Sequence, residues 1–142
     1  MYRHILIPTD GSELAEHGLA HGLALAKFAG AKVSVIFVVE PFSELSGRFL
    51  EAVQTYAELR KEQATSALAS AANAAKVAGV SCETIQAENG QPHLAIIAAA
   101  EDKGCDLIVM SSHGRSGLSM VLIGSVTNKV LSLAKTPVLV CQ

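Results

Sequence analysis

The chain has 142 residues, of which 50% are hydrophobic and 17% are charged, with a formal net charge of -2. This length and composition indicate one globular domain covering residues 1–142, able to bury roughly 70% of its unfolded surface. Nucleic-acid binding relies on clustered Lys and Arg, and the sequence has no such cluster. It also has no apolar run of about 18 residues and no signal-peptide pattern, so we expect a cytoplasmic protein without membrane contact.

The first half of the sequence predicts two strands, each followed by a helix. The apolar run His4–Pro8 indicates the first strand, and Ser12 is a suitable N-cap for the helix that follows. That helix ends at Gly30, and the β-branched run Lys32–Val39 predicts the second strand. A long Ala-rich helix is expected over residues 50–77. The apolar stripe of the first helix consists of Ala15, Leu19, Gly22, Leu23 and Ala26.

The second half continues the alternation of strands and helices. We predict an edge strand at residues 82–87, a helix that begins with Pro92, a strand at residues 107–110, a last helix, and a strand at residues 137–141. The turns of the helix after Pro92 are marked by Leu94, Ile97, Ala98 and Glu101. The buried positions of the last helix are Leu122, Val126, Val130 and Leu133.

Strands that alternate with helices need crossover connections. The sequence therefore predicts an α/β fold, in which an open, parallel, five-stranded sheet forms the middle of three layers and helices cover both faces. In such sheets, ligands bind beyond the carboxyl ends of the strands. The loops at those ends include Asp10 after the first strand and residues 111–117 after the fourth. If these two strands are neighbours, both loops face one crevice.

The segment after the fourth strand has the composition of a phosphate-binding loop. Its Gly and Ser residues let a ligand approach the backbone, and it leads to a helix that starts at Gly124 and Ser125. A helix N-terminus offers unpaired N–H groups and a partial positive charge, which favour a phosphate. The spacing is neither that of a Walker loop nor that of a dinucleotide fingerprint. Candidates for phosphate contacts are the charge of Arg115, the hydroxyl of Ser125, and the backbone N–H groups of Ser125 and Val126.

The spacing of this loop resembles the nucleotide loop of the universal stress protein family. ATP-binding members carry Gly, two residues, Gly, nine residues, and then Gly followed by Ser or Thr. The corresponding positions here hold Ser111, Gly114, Gly124 and Ser125. Residues 112–118, 122–126 and 136–140 also resemble the family. The departure is Ser111 in place of the first glycine, which puts a hydroxymethyl group where the backbone would approach the phosphates.

The resemblance implies the strand order 3-2-1-4-5 and a Rossmann-like site for an adenine nucleotide. The ligand it implies is ATP, with or without Mg²⁺ or Mn²⁺ bound through the phosphates. It further implies that Pro8, Thr9, Asp10 and Val38 contact adenine or ribose, with Met110 beside them. The complete set of predicted nucleotide-binding residues is Pro8, Thr9, Asp10, Val38, Met110, Ser111, His113, Gly114, Arg115, Gly124, Ser125 and Val126.

Several of these residues have a second interpretation. Asp10 could serve only to organise its turn, and Arg115 could be an exposed, solvated side chain. Gly114 and Gly124 could be required only for their backbone torsions, and His113 could make a structural hydrogen bond. No catalytic residue or metal ligand is assigned. His17 and His21 share a helical face, but the sequence shows no third ligand for a metal.

The function that the resemblance implies is a regulatory, ATP-binding domain of the stress response that acts on a partner protein of unknown identity. Two alternatives stay open: a homologue that binds no nucleotide and works through dimerisation and partner binding, and a slow nucleotide hydrolase on the same scaffold. A short apolar strand at a sheet edge can pair with a second copy about a two-fold axis. In the family the last strand plays this part, so the expected homodimer surface is Pro137, Val138, Leu139, Val140 and Cys141.

Overall fold

The computed structural model of the chain describes residues 1–41, 50–113 and 123–142. Every strand and helix predicted from the sequence is present. The fifth strand begins one residue later than predicted, at Val138, and the fourth extends to Ser111. In chain order the elements are β1 (His4–Pro8), α1 (Glu13–Ala29), β2 (Lys32–Val39), α2 (Leu50–Ala78), β3 (Cys82–Glu88), α3 (Pro92–Asp102), β4 (Leu107–Ser111), α4 (Ser125–Leu133) and β5 (Val138–Cys141).

The five strands form one parallel sheet in the order β3-β2-β1-β4-β5, as predicted. Because side chains alternate along a strand, neighbouring residues of β1 enter different cores. Ile5 and Ile7 pack with α1 and α2 on one face, whereas Leu6 packs with α3 and α4 on the other. The predicted three-layer α/β architecture is thereby confirmed. In the described parts of the chain, no helix has the length and apolar character needed to cross a membrane.

Helix α1 packs closely on the sheet because two of its positions are glycine. A Cβ atom at Gly22 would collide with the side chain of Ile7, and one at Gly18 would lie 3.1 Å from the backbone nitrogen of Ser111. The helix is fixed at both ends, by the Ser12 hydroxyl that accepts the Ala15 N–H and by Gly30 in the left-handed region with φ 68°. All predicted stripe residues of α1 are buried. Its close approach places the start of α1 beside the carboxyl end of β4.

The predicted buried face of α4 was partly wrong, and the residues that mark the turns of α3 are not its buried ones. Helix α3 buries His93, Ile96 and Ala100, whereas Leu94 is exposed. This helix is apolar on several sides, so periodicity alone did not fix its phase. The remaining differences are in α4, which buries Thr127 and Val130 and leaves its last residue, Leu133, 57% exposed; the predicted Leu122 lies outside the described residues.

A polar network links the amino ends of the central strands. The ring of His4 has Nε2 2.7 Å from Ser34 Oγ and Nδ1 3.1 Å from the carbonyl oxygen of Lys103. Ser34 Oγ donates to Glu83 Oε1 at 2.8 Å, and Lys103 Nζ lies 3.3 Å from the same carboxylate oxygen. The hydrogen bond from Ser34, with a further contribution from Lys103, lowers the pKa of Glu83. This network ties β1, β2 and β3 to the segment after α3.

Candidate functional site

A cleft of about 200 Å³ lies beyond the carboxyl ends of β1, β2 and β4. Typical pockets that enclose a whole drug-sized ligand measure roughly 300–1,000 Å³, so this cleft is smaller than such a pocket. Every predicted site residue that the structure describes lines it. These residues are Pro8, Thr9, Asp10, Val38, Met110, Ser111, His113, Gly124, Ser125 and Val126. The predicted Gly114 and Arg115 lie outside the described residues.

The loop after β1 is a tight turn that presents Asp10 to the cleft. The Thr9 N–H donates to the Ile36 carbonyl oxygen at 2.8 Å, which continues the pairing with β2. Asp10 Oδ1 accepts the Ser12 N–H at 2.9 Å, and Gly11 has φ 79°, in the region that favours glycine. Asp10 therefore organises its turn, as the second interpretation holds, and its carboxylate also lines the cleft.

The loop after β4 is held by its own polar groups. Ser111 Oγ donates to the His113 carbonyl oxygen at 2.7 Å, and Ser112 Oγ lies 3.1 Å from His113 Nδ1. Thr127 Oγ1 donates to the Ser111 carbonyl oxygen at 2.9 Å, which ties the loop to α4. The His113 ring thus has the structural hydrogen bond expected as its second interpretation, and the residue lines the cleft as well.

Gly124 is required for space rather than for its torsion angles. Its φ of -59° is open to any residue, so the interpretation based on glycine torsions was wrong for this position. A Cβ atom here would lie 3.1 Å from the carbonyl oxygen of Ser112 and 3.4 Å from Cα of His113. The Gly124 N–H donates to that same carbonyl oxygen. The start of α4 therefore packs directly against the loop after β4.

The start of α4 offers backbone donors to a ligand. No side-chain cap is present at Gly124, and the first N–H groups of a helix lack partners within the helix. Ser125 and Val126 supply such groups at the wall of the cleft. Together with the partial positive charge of the helix N-terminus, this arrangement suits an anionic group such as a phosphate.

Sequence reasoning missed Arg60, which lines the cleft from α2 and is only 8% exposed. A signal was present, because Arg60 lies four residues before Ala64, on the helix face that packs on the sheet. A charged residue at such a position calls for an explanation. The other lining residues that were not predicted are Ala15, Ile36, Glu40, Pro92, Ile96 and Thr127.

Metal-binding side chains were not predicted for this chain. Within residues 1–41, 50–113 and 123–142, no cluster of three or more His, Cys, Asp and Glu side chains could hold a metal ion. His21 Nδ1 lies 3.0 Å from the carbonyl oxygen of His17, within their own helix.

The fold and the cleft define a three-layer α/β protein with a cleft at the carboxyl edge of its sheet. The model of the universal stress protein family matches residues 1–142. The chain belongs to the universal stress protein family, as the resemblance of its sequence implied.

Individual relatives show the same similarity over the whole chain. Universal stress protein MJ0531 of Methanocaldococcus jannaschii is 38% identical, over 100% of this chain and 83% of the relative. The solved structure of MJ0577, from the same organism, has a TM-score of 0.80 and 33% identity and covers 99% of this chain and 95% of its own. A universal stress protein solved in complex with cAMP has a TM-score of 0.71 and 25% identity, with 99% and 97% coverage.

Proposed function

We propose that this chain is a regulatory domain of the stress response that binds an adenine nucleotide, ATP above all, in the cleft at the carboxyl edge of its sheet. The domain spans residues 1–142, acts in the cytoplasm, and passes the bound state to a protein partner. ATP enters with Mg²⁺ or Mn²⁺ held through its phosphates. No residue is assigned a catalytic role.

The observation that carries this proposal is the convergence of two loops on one cleft. The loop after β1 brings Asp10, and the loop after β4 leads to the uncapped start of α4 at Gly124. Asp10 and Gly124 are 114 positions apart in the sequence, yet both line the same cavity. The structurally similar protein in complex with cAMP supports an adenine nucleotide as the ligand.

The two sides of the cleft suggest how the nucleotide lies. Apolar groups of Val38 and Met110, with Pro8 at the end of β1, suit the flat faces of adenine. The N–H groups of Ser125 and Val126 suit the phosphates, assisted by Gly114 and Arg115 of the predicted loop. Ser111 Oγ is engaged with the His113 carbonyl oxygen, so the hydroxyl supports the loop rather than the ligand.

The proposed dimer forms through β5. This strand is at the edge of the sheet next to β4, and Leu139 is 43% exposed. An exposed edge strand with apolar side chains favours pairing with another strand, and a two-fold axis would close the assembly. The surface comprises Pro137, Val138, Leu139, Val140 and Cys141.

Thermal melting of the purified chain tests the binding proposal. ATP with Mg²⁺ at about 100-fold above its dissociation constant should add about 2.7 kcal/mol, which raises the melting temperature by roughly 5 to 11 °C. UTP at the same concentration is the control for the base and should give a smaller shift. An unchanged melting temperature with millimolar ATP and Mg²⁺ would contradict the proposal, and steady release of phosphate would favour the hydrolase.

A further inference from the structure

Arg60 is a buried charged residue in the wall of the cleft. It has no role in the proposed phosphate contacts at the start of α4. It lies on α2, is 8% exposed, and lines the cleft together with Asp10 and Glu40. Its Cζ atom lies 5.4 Å from the centre of the Phe37 ring, on the face of β2 that packs against α1 and α2. The side chain is therefore held against the sheet at the β2 side of the cleft.

The guanidinium group of Arg60 has more donors than partners. Nη1 donates to Gln63 Oε1 at 2.7 Å, whereas Nε is buried and has no hydrogen-bond partner among the described residues. Arg60 also forms no ion pair with any described residue. The ion pair found among the described residues joins Lys103 and Glu83. A buried cation with unused donors is unfavourable unless something else supplies acceptors. Because Nε is covered by protein atoms, a ligand in the open cleft would supply acceptors to the Nη groups at the end of the side chain.

The position of Arg60 separates it from the phosphate end of the cleft. Arg60 packs on β2, whereas α4 starts from the loop after β4, and β1 lies between these two strands. Two strand spacings amount to about 10 Å. A nucleotide with its phosphates at Ser125 and Val126 would thus present its nucleoside half to Arg60.

The charges around Arg60 favour a neutral ligand group over a second phosphate. Asp10 and Glu40 line the same cleft, and their negative charges would repel another anion at that end. A ribose hydroxyl fits both kinds of neighbour, because its hydrogen can be donated to a carboxylate while its oxygen accepts from a guanidinium. Arg60 has donors only, and Asp10 supplies acceptors.

We propose that Arg60 binds a ribose hydroxyl of the nucleotide and makes the cleft selective for ribonucleotides over their deoxy analogues. This inference rests on the proposed function and adds a specificity-determining residue to it. Asp10 accepts the hydroxyl hydrogen, and Arg60 donates to the hydroxyl oxygen. The ligand thereby provides an acceptor to the Nη end of the guanidinium, which lies at the wall of the cleft.

Calorimetric titration of the full chain with ATP, 2′-deoxy-ATP and 3′-deoxy-ATP tests the inference in wild type and Arg60→Met. A hydrogen bond to a charged group is worth about tenfold or more in affinity. We expect Arg60→Met to weaken ATP binding by at least about tenfold. Wild type should bind the deoxy analogue that lacks the contacted hydroxyl more weakly than ATP. For this analogue, the affinities of Arg60→Met and wild type should differ by less than about threefold.

The matched control is Arg3→Met, which makes the same change at an exposed residue at the other edge of the sheet and should leave all three affinities unchanged. If Arg60→Met has no cooperative melting transition, Arg60→Lys takes its place in the same comparison. An equal loss for all three nucleotides, or no loss for ATP, overturns the role of Arg60. If wild type does not bind ATP, the proposed function is overturned. If wild type binds ATP but Arg60→Met does not show the expected pattern, only the role of Arg60 is overturned.

Discussion

The two edges of the sheet differ in how their polar groups are paired. At the amino edge, α1, α2 and α3 are followed by Gly30, Gly79 and Gly104, whose positive φ angles of 68°, 73° and 67° turn the chain back toward the next strand. The network around His4 and Ser34 joins the strands there. At the carboxyl edge, the loops after β1 and β4 are also held by hydrogen bonds, but α4 starts without a side-chain cap, and Arg60 Nε has no partner among the described residues.

From this difference we expect the amino edge to contribute mainly to the stability of the fold and the carboxyl edge mainly to ligand binding. Unpaired buried polar groups cost free energy, so they persist where a bound molecule can complete their hydrogen bonds. Paired groups contribute to stability in the absence of any ligand. Changes at the carboxyl edge should therefore alter binding more than stability, and changes at the amino edge should do the reverse.

The largest expected effect is the loss of ATP binding in Gly124→Val. The new side chain meets the Ser112 carbonyl oxygen and Cα of His113, so the loop and the start of α4 must move apart. We expect affinity to fall by about a hundredfold or more in a calorimetric titration. The stability of the ligand-free chain should fall by no more than about 3 kcal/mol.

Gly90→Val is the matched control, because a Cβ atom at Gly90 has open space around it and φ there is not positive. It should bind ATP like wild type. Retention of ATP binding by Gly124→Val would remove the start of α4 from the site.

A second expectation concerns the thiol of Cys105, which is buried near the amino edge just before β4. Burial, followed by the charges of Asp106 and Glu83, raises the pKa of Cys105 to about 11. Only about one thiol in a thousand is then ionised at pH 8, against roughly a quarter for an ordinary cysteine. In a chain with Cys82→Ser and Cys141→Ser, alkylation by iodoacetamide should be about a hundredfold slower in the native state than in denaturant. Equal rates would show that this edge opens readily.

The smallest expected effect is a loss of stability in Ser34→Ala with unchanged ATP affinity. Ser34 is fully buried and bridges His4 and Glu83, so its removal should lower the free energy of unfolding by about 1–3 kcal/mol in urea. Since the hydrogen bond from Ser34 lowers the pKa of Glu83, this stabilisation is present above the ordinary pKa of the carboxyl and disappears as pH falls through its folded value. The gap between variant and wild type should therefore narrow in acid. A gap that widens in acid, or a change in ATP affinity, would contradict this assignment.

The fold was predictable because several local signals agreed. The buried strands β1 and β4 are continuous apolar runs in the sequence. The ends of α1 are marked by Ser12, whose side chain caps the helix, and by Gly30, whose backbone adopts a left-handed conformation. The faces of α3 were less predictable, because an Ala-rich helix is apolar in more than one direction. Burial of His93 instead of Leu94 is a result of tertiary packing.

The lining of the cleft was predictable where chain position determines it. Asp10 comes just after β1 and Ser111 ends β4, and these parallel strands prove to be neighbours, so the loops that follow them had to meet. Arg60 was missed because its sequence neighbours Lys61 and Glu62 suggest a solvated helix face. Its spacing of four from Ala64 indicated the sheet-facing side of α2, but its place at the cleft depends on how α2 packs over Phe37. The space around Gly124 likewise depends on a carbonyl oxygen twelve positions earlier in the sequence.

The most direct test of the difference between the two edges is a titration of the isotope-labelled chain with ATP and Mg²⁺, followed through its backbone amide resonances. We predict that the resonances of Thr9, Asp10, Ser125 and Val126 move together and saturate at one nucleotide per chain, while those of Ser34 at the amino edge stay in place. Amide shifts at the amino edge alone, or no shifts with millimolar ATP, would contradict the account.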